Sequence, residues 1–226
     1  SPKRLLEGKM YMLSSGREMI FRIPALLLAI SVHEYAHAKT ADALGDPTAR
    51  LSGRMTLNPL AHLDPLGLLM LWLLRFGWAK PVPINPMYLR PRRRGIILVS
   101  LAGAVANIIT ATILLILLKL QFIPFNSVLA GILELAMWYN LFFAVFNLIP
   151  IPPLDGSKVL AELLPRRISY QLGQYEQYGP ILLIILLYMR GLNIILIPLA
   201  SGIYDILYRL TDFLVFGIIY KVLLHF

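Results

Sequence analysis

Apolar residues run in long stretches along this chain, and polar residues gather in the gaps between them. A helix needs about 20 apolar residues to cross the hydrocarbon core of a bilayer. Stretches of that order occupy 20–42, 95–119, 128–150, 179–199 and 203–224. A shorter one, 66–78, is bracketed by Pro65 and Arg75, so a re-entrant or interfacial helix suits it at least as well as a crossing. The pattern predicts an all-α polytopic membrane protein of about five to six transmembrane helices. Between the spans, 56–59 and 80–86 are punctuated by proline and cannot be helix interiors; they are predicted as short extended segments at the membrane surface.

Composition sharpens this picture. Hydrophobic residues make up 58% of the 226 positions and charged residues 15%, outside the ordinary soluble range. The net charge of +9 comes from short basic loops beside apolar runs, which suits anionic lipid headgroups and argues against nucleic acid as a partner. Placing Arg90, Arg92, Arg93 and Arg94 together with Lys158, Arg166 and Arg167 in the cytoplasm puts 121–127 outside, at the expense of leaving Lys3, Arg4, Lys9 and Arg17 on the outer side. The absence of cysteine excludes disulfides, thiolate metal ligands and cysteine nucleophiles. Residues 1–19 read as an N-terminal extension of the kind cloning leaves, ahead of one domain over 20–226. They do not read as a cleaved signal, because the apolar run that follows carries His and Glu.

The candidate chemistry lies in the first span, as His33-Glu34-Tyr35-Ala36-His37. Residues four apart share a helix face, so both imidazoles can reach one metal ion, while the neighbouring Glu34 is turned aside and left free to act as a base. Composition alone predicts roughly 0.002 such matches in the chain. Catalytic zinc commonly takes three protein ligands, so a third is expected among His62, Asp64, Glu134, Asp155, Asp205 and Asp212. Asp155 is favoured, because Pro150, Pro152 and Pro153 break the span before it, and broken backbone in an apolar zone belongs around a buried cavity. Zinc suits two imidazoles and a carboxylate, and iron or cobalt would accept the same donors. His62 with Asp64 is a weaker second site, and a Ser157–Lys158 dyad is disfavoured because adjacent helix side chains diverge.

The His33–His37 motif in an apolar span, with Asn147-Leu-Ile-Pro-Ile-Pro-Pro-Leu-Asp155-Gly156 downstream, resembles the site-2 proteases, a family of intramembrane zinc metalloproteases. The loop Gly45-Asp46-Pro47-Thr48-Ala49 and the run Leu-Asn-Pro-Leu-Ala-His-Leu-Asp-Pro over 57–65 resemble its small prokaryotic branch, without a PDZ or nucleotide-sensing domain. The resemblance covers about residues 20 to 200. It implies one zinc ion per chain, Asp155 as third ligand, Asn147 lining the active site and steadying the tetrahedral intermediate, and Gly103 and Asn107 facing the substrate. Ala104 stands where relatives commonly carry proline. The implied substrates are single-span proteins of the cell membrane already shortened by another protease, such as anti-sigma factors. The rival reading is a metal-binding membrane transporter, in which His33, His37 and Asp155 form a permeation site; an inactive scaffold would not require Glu34.

Overall fold

The computed structural model describes residues 16–74, 78–120, 124, 127–189 and 191–223. Every regular element among them is helical. In chain order these are α1 (Gly16–Ala43), α2 (Thr48–Leu51), a 3-10 turn (Pro59–His62), α3 (Pro65–Leu74), α4 (Arg92–Lys119), α5 (Val128–Asn147), α6 (Asp155–Leu163), α7 (Arg166–Tyr175), a second 3-10 turn (Glu176–Tyr178), α8 (Gly179–Tyr188) and α9 (Asn193–Leu223). Most of the expected N-terminal extension lies outside the described residues, and α1 takes in its last four positions.

The core is a packed trio of α1, α4 and α5. Its logic is a four-residue repeat. On α1, Ala25, Ala29, His33, His37 and Ala41 are all buried and form one ridge. On α4, Gly95, Val99, Gly103, Asn107, Ala111 and Leu115 do the same. Small residues on both ridges let the two backbones approach closely, which is how helices gain packing energy where water supplies no hydrophobic drive. Helix α5, started by Ser127 Oγ accepting from the Ala130 N–H at 3.2 Å, adds Ala136, Met137, Asn140, Leu141 and Ala144 to the same core. Helix α9 closes the outer half, with Leu207 in the apolar cluster and Tyr204 stacked on Trp138 at 4.8 Å.

Among the described residues, three helices are long and apolar enough to cross a membrane: α4, α5 and Asn193–Gly217 of α9. Helix α1 matches α4 in length, 28 residues each, although its apolar run is interrupted by the charged and imidazole side chains of the site. The expected spans at 179–199 and 203–224 are divided differently. Helix α8 ends at Tyr188, the Met189 and Gly191 N–H groups return to the Ile185 and Leu186 carbonyls, and a single helix then runs from Asn193 to Leu223 with Pro198 inside it. Hydropathy windows sum apolar content and are blind to such a local break. Ten-residue α3 and α8 extend only about 15 Å each, half of a 30 Å core.

The extended segments form no strand among the described residues. One antiparallel bridge joins Leu63 to Ala79, and the Lys80 N–H reaches the His62 carbonyl at 2.9 Å. Residues 80–86 then cross beside α1, with Val82 packed on Ala38 and Ala49.

Candidate metal centre

His33 and His37, one turn apart on α1, point between α4 and the start of α6. Both present Nε2 to the same atom: His33 Nε2 lies 3.1 Å and His37 Nε2 2.9 Å from Asp155 Oδ2. The three groups are buried, with ligand atoms all within 4.8 Å of one another. Ligands at about 2.05 Å around a tetrahedral zinc would be separated by about 3.3 Å, close to these spacings.

The opposite edges of the rings decide what these atoms can be. His37 Nδ1 sits 2.7 Å from the Val99 carbonyl, an acceptor only, so Nδ1 carries the proton. His33 Nδ1 sits 2.8 Å from Asn107 Oδ1. That amide is oriented by its other end, whose Nδ2 donates to the Ala29 carbonyl at 2.9 Å and to Asn140 Oδ1 at 2.8 Å. Asn140 is oriented in turn by donating to the Ala136 carbonyl at 2.8 Å. Both imidazoles are therefore held with Nδ1–H outward and Nε2 facing Asp155. With both rings neutral, their Nε2 lone pairs and the carboxylate converge on one point, and such a His–His–carboxylate set is a zinc donor set. The residues fit the metal.

Each element has a local reason for its place. Gly103 faces the His33 ring, and a Cβ there would lie 2.5 Å from His33 Cε1, so any larger residue would push the imidazole out. Asp155 opens α6 directly after the proline turn, and Gly156 lets that turn close, since a Cβ would lie 2.2 Å from the Leu148 carbonyl oxygen. The second Asp155 oxygen, Oδ1, accepts from Lys158 Nζ at 2.9 Å, one helical turn on. Glu34 is also buried, and its Oε2 accepts the Val82 N–H at 2.8 Å.

Other sequence candidates fall elsewhere. Gly103 and Asn107, expected toward the substrate, stand behind His33; Asn107 is fully buried with both ends of its amide engaged. Asn147 ends α5, is buried, and donates to the Phe143 carbonyl at 2.9 Å. His62 is buried against the Thr56 carbonyl at 2.8 Å, and Asp64 accepts the Gly67 N–H at the start of α3, so these two are structural. Asp212 pairs with Lys119 at 2.7 Å. Ser157 Oγ donates to the Leu154 carbonyl while Lys158 turns to Asp155, so no Ser–Lys dyad forms. Sequence reasoning missed Asn140, the Val99 carbonyl and the Val82 N–H. Only Asn140 left a trace, as an amide in the middle of an apolar span.

The profile of peptidase family M50 matches residues 123–188, which contain α5, the proline turn and Asp155. YwhC of Bacillus subtilis, a candidate zinc metalloprotease by name, is 35% identical over 199 residues, covering 85% of this chain and 91% of its own length. The chain belongs to the site-2 protease family, peptidase family M50. A second relative, Rip2 of Mycobacterium tuberculosis, also a candidate zinc metalloprotease by name, is 35% identical over 178 residues, 76% of this chain and 68% of its own length. No solved structure matches the chain significantly. As an M50 member the protein is a zinc metalloprotease, and the buried His33–His37–Asp155 cluster is a set that could hold the ion.

Proposed function

We propose that the protein cleaves peptide bonds in or near the transmembrane segments of other membrane proteins, with His33, His37 and Asp155 as zinc ligands and Glu34 as general base. The observation that carries this reading is the convergence of two tautomer-locked Nε2 atoms on Asp155 Oδ2 inside an apolar helix trio. Depth supports it. Along α4, Val99 and Gly103, which touch the two histidines, lie five and nine residues past Arg94. At 1.5 Å per residue that is about 7 and 14 Å below the arginine cluster, within a 30 Å core.

Held by His33, His37 and Asp155, a zinc ion would supply Lewis acidity for the scissile carbonyl and would lower the pKa of water toward about 7. The chain supplies the rest. Glu34 accepts a proton from the attacking water and returns one to the departing amine. Asn147 turns its amide from the Phe143 carbonyl toward the developing oxyanion, where a buried donor contributes several kcal/mol. Gly103 and Asn107 serve substrate turnover indirectly, by seating His33. Residues 20–226 act as one domain, multi-pass in the cell membrane, with α1 crossing alongside α4, α5 and α9 and the Arg90–Arg94 end in the cytoplasm among anionic lipids. Single-span membrane proteins, anti-sigma factors among them, are the proposed substrates, entering unwound so that a carbonyl is exposed.

The test compares wild type with Glu34→Gln in detergent, using a tagged single-span substrate and measuring bound zinc in both. Loss of cleavage with zinc retained is the expected result. A variant that still cleaves at the wild-type rate would sink Glu34 as the base, and cleavage absent from both proteins across a panel of such substrates would favour a transport site.

A further inference from the structure

The segment after Ala79 is built to hold one backbone N–H in place. Pro81 and Pro83 fix their own φ and push Lys80 and Val82 toward extended backbone, so 80–83 is stiff before it touches anything. Neither proline has an N–H, which leaves Val82 as the donor between them. That N–H meets Glu34 Oε2 at 2.8 Å, both groups buried.

Each end of the segment is tied to the motifs that the zinc chemistry leaves unexplained. Upstream, Arg54 Nη2 donates to the Lys80 carbonyl at 2.7 Å and the Pro81 carbonyl at 3.2 Å, and the His62 carbonyl takes the Lys80 N–H at 2.9 Å. Downstream, fully buried Asp46 takes the Asn85 N–H at 2.6 Å through Oδ2, while its Oδ1 accepts the Thr48 N–H at 3.0 Å and the Thr48 hydroxyl. A buried carboxylate that accepts the Asn85 N–H and a guanidinium that donates to two strap carbonyls hold one short segment at both ends, with Glu34 at its middle.

We infer that residues 80–85 are a positioning strap for the base: the Val82 N–H fixes one Glu34 oxygen and leaves the other for the reacting water, and Arg54 and Asp46 are positioning residues acting through the strap. This rests on the reading of Glu34 as base. A carboxylate on a helix flank has free side-chain rotation, and reaction needs one orientation held to a fraction of an ångström. The strap supplies that restraint without touching His33, His37 or Asp155.

The experiment uses the full-length protein with the tagged single-span substrate and reads kcat, KM and bound zinc for Val82→Pro, Val82→Ala, Arg54→Lys and Arg54→Met. Val82→Pro deletes the N–H but keeps an extended, similarly sized residue; Val82→Ala keeps the N–H and trims the side chain. The expected result is a kcat lowered by about 10- to 100-fold in Val82→Pro, the range for a hydrogen bond to a charged group, with zinc and KM held and a much smaller loss in Val82→Ala. Arg54→Met should follow Val82→Pro, and Arg54→Lys, which can still reach one carbonyl, should recover part of the rate. Equal losses in Val82→Ala and Val82→Pro, or zinc lost together with turnover, would overturn the strap as a positioning device. Failure of the base reading is told apart by Glu34→Gln, which would then cleave like wild type.

Discussion

Asn107 Oδ1 stands 2.8 Å from His33 Nδ1, and the rest of that amide is held by Ala29 and Asn140, so one histidine tautomer is set by a chain of three side chains crossing α1, α4 and α5. Outer hydrogen bonds of this kind raise ligand basicity and commonly account for 10- to 100-fold in metal affinity. Asn107→Leu should weaken zinc binding by about that factor, read by competition with a chromogenic chelator. Asn140→Leu should have a smaller effect in the same direction, since it loosens Asn107 without touching His33. Unchanged affinity in both would show that the histidine needs no such support.

Gly103→Ala should abolish zinc binding and cleavage together, because its methyl would occupy the space of the His33 ring. The control is Gly131→Ala on α5, where a Cβ meets nothing within 4 Å. That change should leave zinc content alone and raise stability by about 0.5–1 kcal/mol through helix propensity. Thermal unfolding with zinc analysis on both variants checks the pair.

Removing the metal should lower the melting temperature, because an ion held by His33, His37 and Asp155 would tie α1 to α6 in the folded state alone. Adding zinc back should restore it. Glu34→Gln should keep this zinc-dependent increment and Asp155→Ala should lose it; an increment that survives in Asp155→Ala would place the ion elsewhere.

Lys119 offers a stability prediction far from the chemistry. Its ammonium lies 3.5 Å from the Tyr208 ring centroid, 2.7 Å from Asp212 and 2.6 Å from the Tyr208 carbonyl, joining the end of α4 to α9. Lys119→Met should cost about 1–2 kcal/mol of unfolding free energy while leaving zinc bound. Chelator affinity measured beside thermal unfolding separates the two effects.

The sequence disclosed the parts of the site that are local. His33 and His37 share a face because helix geometry puts residues four apart together, and the prolines before Asp155 announced a broken span. Val99 was illegible because a carbonyl has no side-chain signature. Asn107 was legible as a residue but not in its direction, which depends on how α4 rotates against α1. The four-residue ridge from Gly95 through Gly103 to Ala111 was present in the letters and would have suggested that rotation. In the fold, apolar content marked α4 and α5 closely and blurred α8 into α9, since the break between Tyr188 and Asn193 scarcely alters average hydropathy.

His33 and Asp155 are separated by 122 positions in the chain. At synthesis rates of 5–20 residues per second, the ribosome delivers the aspartate roughly ten seconds after the histidine. Through that interval the growing polypeptide holds the two imidazoles and the base without the third donor, and it passes through the insertion machinery among other nascent spans. On the proposed ligand set, a capacity to cut cannot arise before Asp155 has been made.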